Sequence, residues 1–183
     1  MTKGTEDEQA ANRYGYALSL AKDGNLAKAR KELADLALLQ PENLWILLAQ
    51  AEMSLNDNPH MTISMLEPLA TQEHPHPAVI EIYTKAMLES GQVEQANRYL
   101  RKHLLTNVEH IQLLKLHAKT AAESGSVGEA YLADADYHFK IGDLKIALSQ
   151  LKYAEQNSSD FYTVSIAREK IRVVSNELRW RAN

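Results

Sequence analysis

Three residues in the stretch YLADADYHFKIGD have types that could do chemistry: Asp134, Asp136 and His138. Two carboxylates and an imidazole that alternate along the chain look like ligands around a divalent metal. A helix at about 100° per residue would put Asp134 and His138 on one face and turn Asp136 about 200° away. Three ligands cannot converge from one helix in that pattern, so solvated or groove-facing roles are expected. The loop QEHPHP brings Glu73, His74 and His76 together. With only these local donors and two prolines, it reads as a surface loop rather than a metal site. His103, His110 and His117 recur at sevens but cross from one helix to the next, and read as helix-surface histidines.

Other chemistries lack their signatures. There is no HExxH zinc-protease helix, no GxSxG elbow, no Walker A loop and no GxGxxG turn. The chain has no cysteine, which removes thiol nucleophiles, disulfides and cysteine–zinc sites. With no credible Ser–His–Asp set either, the chain is expected to be no enzyme by itself, with no catalytic residue, metal ligand or cofactor of its own.

The elements that must position these side chains follow from a repeat. Four loops look alike: KDGN at 22–25, NDNP at 56–59, ESGQ at 89–92 and ESGS at 123–126. Their turn residues Gly24, Asn58, Gly91 and Gly125 are 34, 33 and 34 positions apart. Gly, and less often Asn, accepts the left-handed conformation that ends a helix. Apolar periodicity near 3.6 flanks each loop. A helix–turn–helix unit of 34 residues is the signature of a tetratricopeptide repeat.

Small residues fit the close approach of paired helices: Ala17 and Ala29 in the first repeat, Ala96 in the third, Ala118 and Ala130 in the fourth. The second, PHMTISMLEPLA, lacks the alanine and carries Pro68, which kinks or ends a helix. Asn25, Asp143 and Ser126 read as N-caps, the last with Glu129 at capping-box spacing. Pro59 and Pro77 suit first helical positions. Gly142 follows Gly125 by 17 positions, half a repeat, so 126–141 is expected to be shared between two pairs. Within it Ala130, Ala133 and Tyr137 would pack on neighbours. A terminal helix with the stripe Phe161, Val164, Ile171, Val174 and Leu178 would cover the last apolar face.

The expectation is an all-α tetratricopeptide-repeat solenoid of about ten helices: four repeats, a shared helix and C-terminal capping helices. Repeats fall at 10–43, 44–76, 77–110 and 111–141, with closing helices over 142–180. Residues 1–9 are expected to be a flexible segment before a single domain over 10–183.

In such repeats the first helix of each pair lines an inner groove. The register places there Tyr14, Leu18, Trp45, Leu48, Glu52, Glu81, Lys85, Lys115, Lys119, Leu132, Asp136 and Phe139. Apolar at one end and mixed in charge further on, this groove suits an extended or helical polypeptide segment. Domains of this type that bind chaperone C-termini resemble one another in a Lys and Asn clamp. Tyr14, Leu18, Leu48 and Glu52 stand at those positions here, so that reading is weak.

Composition narrows the partner. Of 183 residues 45% are hydrophobic and 24% charged, and the net charge is −4 with a pI near 6.0. That balance argues against a general nucleic-acid or membrane-surface binder. Acidic Glu6, Asp7 and Glu8 and basic Arg168, Lys170, Arg172, Arg179 and Arg181 read as solvated ends. No apolar run approaches the ~20 residues of a membrane span. The start MTKGTEDEQA lacks a secretory apolar region. If the natural protein is exported, this chain is expected to be a fragment lacking its signal.

RYGYAL, then ARKEL and QPENLW, resemble the opening of the C-terminal repeat domain of the beta-barrel assembly-enhancing protease family. EAYLADADYHFKIGDLKIALSQLKYA and DFYTVSIAREKIRVVSNEL resemble its closing helices. The resemblance runs from about Asn12 to Leu178, with its specific parts at the ends. It implies a periplasmic zinc metalloprotease with HExxH in an N-terminal domain outside this chain. The repeat domain would then engage outer-membrane protein clients, the barrel assembly machinery and its own protease domain. Zinc is expected only in that other domain, and no catalytic residue carries over. The alternatives are a freestanding scaffold or adaptor, and an autonomous metal enzyme, which predicts tight stoichiometric metal. An HExxH domain encoded upstream of Met1 separates the first reading from the second.

Overall fold

The computed structural model describes residues 5–107 and 109–181, and among them ten α-helices and no strand. They are α1 (Glu6–Lys22), α2 (Leu26–Leu39), α3 (Leu44–Ser54), α4 (Pro59–Ala70) and α5 (Pro77–Glu89). After these come α6 (Val93–Leu104), α7 (Ile111–Glu123), α8 (Val127–Lys140), α9 (Leu144–Asn157) and α10 (Phe161–Arg181). The pairs fall where the 34-residue interval puts them, and the repeat fold stands as expected.

Gly24, Gly91, Gly125 and Gly142 end their helices at φ of +79°, +79°, +75° and +87°. Side chains pay sterically for that region, which is why the repeat keeps glycine there. Asn58 is the correction: its φ is −149°, and its side chain instead accepts the Met61 N–H as the N-cap of α4. An Asn can do either job, and the proline at the first helical position favours the cap.

Other local expectations change. Residues 5–9 are not a flexible segment: Thr5 caps α1 in a full capping box with Glu8. Residues 1–4 of that predicted segment lie outside the described residues. Asn25, Ser126 and Asp143 hold N-cap positions but make no side-chain cap bond, and the Ser126–Glu129 box does not form. Glu129 is drawn instead to three side chains on α6 and α7. Pro68 sits inside α4 without ending it, in the last turn, two residues before Ala70.

The small-residue position is kept in every pair. Ala29, Ala96 and Ala147, each the fourth residue of its helix, are fully buried. In α4 the fourth residue is Thr62, also fully buried, whose hydroxyl donates to the Ala51 carbonyl at 3.0 Å. The second repeat therefore has its small residue, one that satisfies its own polar atom.

The chain divides into two compact units, one ending at Ser90 and one beginning at Gly91, where a single domain over 10–183 was expected. In the first, Ala17, Leu33, Leu36, Ile46 and Ala49 form a buried cluster. In the second, Ala135, Leu144, Leu151 and Val174 do so. There α8 packs on α7 and on α9, as a helix shared by two pairs must. Within α8, Ala133 is buried and Ala130 and Tyr137 are half-buried. The terminal helix α10 packs on α9 and α8 through Val174 and Ala167. Phe161, assigned to its buried stripe, is 83% exposed, because it is the first residue of the helix and overhangs the core.

Candidate functional site

In the first unit, the face built by α1, α3 and α5 carries an aromatic patch. The Tyr14 hydroxyl donates to the Trp45 carbonyl at 3.4 Å. Burial, and then the Glu52 carboxylate, push the Tyr14 phenol above its usual pKa. Trp45 is 55% exposed and meets the His76 ring edge-on at 5.5 Å between centroids. His76 is the N-cap of α5, and its Nδ1 accepts the Ala78 N–H at 3.2 Å. That bond fixes the ring against the indole. Leu18 is 40% exposed on the same helix as Tyr14, and Glu81 pairs with Lys85 at 2.6 Å along α5.

Leu48 does not line this face. It is 4% exposed and lies on the buried side of α3 with Ile46, Ala49 and Ala51. The run LWILLA is apolar on every side, so periodicity could not choose between its faces.

In the second unit, Lys115 stands 5.8 Å over the Tyr137 ring, a cation–π distance, and Lys119 pairs with Glu123 at 3.7 Å. Phe139 is 40% exposed and Leu132 half-buried. Asp136 is half-buried and already paired. Lys170 on α10 donates to both its oxygens, at 2.5 and 2.7 Å. His138 reaches Asp134 and Asp143, each at 3.7 Å. The helix thus parts the Asp–Asp–His set as its period requires. No group of three His, Asp or Glu side chains among the described residues is placed to hold a metal.

The histidines at sevens take three different environments. His110 is the exposed N-cap of α7. His103, expected on the surface, is 3% exposed, with its ring centroid 4.5 Å from that of Tyr99 and the rings tilted by 58°. Burial, and then the charge of Lys102, lower its pKa. His117, expected exposed, is half-buried, with Nε2 3.1 Å from Glu129 Oε1. Arg101 Nε lies 3.0 Å from the same oxygen, and Asn97 Nδ2 donates to Oε2 at 3.3 Å. Burial alone would raise the Glu129 pKa. Hydrogen bonds from His117 and Asn97, with the nearby positive charge, outweigh it and hold the carboxyl below its usual range.

Between these groups lies a cleft of about 740 Å³, floored by one face of α8 and walled by α6 and α7 on one side and α10 on the other. Leu132 and Asp136 were placed in a groove from sequence; Arg101, Glu129, His117 and Lys170 were missed. A signal existed: Asp136 and Lys170 are 34 residues apart, one repeat, with opposite charge.

No family model matches the chain. It is similar to the beta-barrel assembly-enhancing protease of Yersinia pestis, 26% identical over 167 residues, covering 80% of this chain and 34% of the relative. The Escherichia coli protein of the same name is 27% identical over 153 residues, covering 83% and 31%. The chain thus spans about a third of the length of the curated relatives it matches. The crystal structure of a thermophilic TPR protein in Thermus thermophilus superposes with a TM-score of 0.57 at 14% identity, covering 90% of this chain and 99% of that one. The resemblance read from RYGYAL, QPENLW and the closing helices is borne out by these relatives, and the helical-repeat fold by the superposition. No described helix is long and apolar enough to cross a membrane.

Proposed function

We propose that this chain is a non-catalytic protein-interaction module belonging to a periplasmic zinc metalloprotease. It binds outer-membrane protein clients or the barrel assembly machinery through the faces of its inner helices. The observation that supports this most is the similarity to about a third of proteases named for enhancing beta-barrel assembly, in a chain whose fold is that of a repeat protein. The zinc and its ligands belong to the rest of such a protease.

Trp45 with Tyr14 and Leu18 offers an apolar anchor, the kind of side chain that dominates interface energetics. Glu52, Glu81 and Lys85 set charge and shape on the face of the first unit, and Lys115, Lys119, Asp136, Leu132 and Phe139 do so separately on the second. Charged rims of this kind steer encounter more than they add affinity.

The test is site-specific crosslinking in the envelope with the full-length protein. Trp45→Ala combined with Lys115→Glu and Lys119→Glu should cut crosslinking to the assembly machinery or its clients by roughly tenfold, the effect of losing one hot-spot residue. All three positions are exposed, so helicity by circular dichroism should be unchanged. Undiminished crosslinking removes the assignment of these faces.

A further inference from the structure

From the contacts of His76 we infer that the Trp45 side chain is under a proton-sensitive hold. Neutral His76 caps α5 and props the indole; protonated His76 lets go of both. The consequence for a partner rests on the reading of the Trp45 face as a binding surface, whereas the switch itself does not.

The start of α5 makes the imidazole a working part. A helix begins with backbone N–H groups that have no partner inside it. In α5 the first is missing, because Pro77 has none. The N–H groups of Val79 and Ile80 donate to the His76 carbonyl at 2.8 and 3.1 Å. That leaves Ala78, whose N–H donates to His76 Nδ1 at 3.2 Å. To accept it Nδ1 must carry no hydrogen, so the proton of the neutral ring sits on Nε2. The same ring meets the indole at 5.5 Å between centroids, with the planes 83° apart. The Trp45 backbone is held separately, its N–H by Asn43 Oδ1 at 3.0 Å and its carbonyl by the Tyr14 hydroxyl.

A proton reverses the first contact. Charged histidine donates from both ring nitrogens, so Nδ1–H and the Ala78 N–H would point at each other. The charge also arrives at the positive end of the α5 dipole. Carboxylates on the neighbouring elements are turned to other groups. Glu73 lies 3.9 Å from His74 in the same loop, and Glu81 of α5 is taken by Lys85. Glu52 of α3 acts on the Tyr14 phenol, and Glu67 of α4 on that of Tyr83. Attraction between a cation and the indole acts the other way. At an exposed site that single contact is weaker than a lost cap and an unfavourable dipole together.

The backbone cannot absorb the change. His76 stands between Pro75, which is buried, and Pro77. A residue before proline is confined to extended backbone, and its φ of −61° and ψ of 137° fit that. The ring therefore rotates about its own side-chain bonds, away from Ala78 and from the indole. Trp45, already 55% exposed, loses the ring that fixes it.

The test follows Trp45 emission in the full chain. Trp45 and Trp180 are the two tryptophans, so Trp180→Phe leaves Trp45 as the sole emitter. Histidine changes charge between about pH 5 and pH 8. Over that range the emission should shift to the red and acrylamide quenching should rise as pH falls, with helicity by circular dichroism retained. His76→Asn puts a neutral capping residue in place and should abolish the transition. His76→Ala at pH 8 should already show the red-shifted, more quenchable emission. A flat profile in the parent, a transition that persists in His76→Asn, or quenching that falls with acid overturns the inference. Crosslinking from the Trp45 face should weaken at pH 5 in the parent and hold in His76→Asn. Crosslinking indifferent to pH, in a protein whose emission responds as expected, would keep the switch and remove the binding reading of that face.

Discussion

At the scale of single residues, the sequence is most legible where helix geometry alone decides. The 100° step separates Asp136 from Asp134 and His138, and Asp136 indeed turns to Lys170 while the other two pair with each other. It is least legible where a tertiary neighbour decides, as for His103. Nothing in RYLRKHLL marks that histidine as 3% exposed with a ring pressed on Tyr99. Its burial has a consequence in solution. Desolvation, aided by Lys102, holds its pKa below the 6.5 of the unfolded chain. Unfolded molecules therefore bind a proton that folded ones refuse, so the His103 contribution is complete above about pH 6.5 and is lost as pH falls below it. The fall in melting temperature between pH 7 and pH 5 should shrink in His103→Phe, which keeps a ring of similar shape. An equal fall in both proteins would assign the acid sensitivity elsewhere. Glu129, with its lowered pKa, contributes in a separate window, losing its stabilisation only as pH drops below about 4.5.

At the scale of elements, turn glycines and helix periods carried the pairing, and half-repeat spacing carried the shared helix α8. What spacing could not carry is how closely two elements approach. Gly128 reads as an unremarkable residue in the first turn of α8. Yet a Cβ built on it would lie 2.6 Å from Ser158 Cβ and 2.7 Å from its Oγ, with Thr163 Cγ2 at 3.1 Å. The α9–α10 connection therefore crosses α8 at a point where only hydrogen fits. Gly128→Ala forces that connection outward, and overpacking of this kind typically costs about 1–3 kcal/mol. Elsewhere in a helix the same change usually stabilises, by roughly 1 kcal/mol, so the sign of the effect is diagnostic. Urea unfolding should show Gly128→Ala less stable than the parent, with Ser158→Gly recovering part of the loss in the double variant. A stabilising Gly128→Ala would mean that the connection yields freely. Because Ser158 and Thr163 also line the cleft, the same contact fixes one of its walls.

At the scale of the whole molecule, the 34-residue period reads as one uninterrupted array, and the division after Ser90 has no mark in that rhythm. It falls inside the third repeat, between α5 and α6, at a turn like the others in sequence. Periodicity reports what each pair needs locally. The division reflects where buried side chains gather, which depends on residues far apart in the chain. Leu33, Leu36 and Ile46 gather in one cluster, and Leu144, Leu151 and Val174 in another. Repeat proteins draw their stability from each repeat and its nearest neighbours, so damage to one cluster is felt first around it. Leu151 is 1% exposed, and Leu151→Ala removes buried methyls at a cost of about 2–5 kcal/mol. Amide hydrogen exchange measured on the full chain should then rise steeply in α8, α9 and α10, while amides of α2 and α3 keep their protection at native pH. The converse substitution Leu33→Ala, at a fully buried position of the first cluster, should expose α1, α2 and α3 and spare α9. Uniform loss of protection along the chain from either substitution would make the molecule a single cooperative unit. Separate responses would show that each cluster can be lost in a molecule whose other half still folds, so that the α8–α10 end and the Trp45 face can be perturbed one at a time.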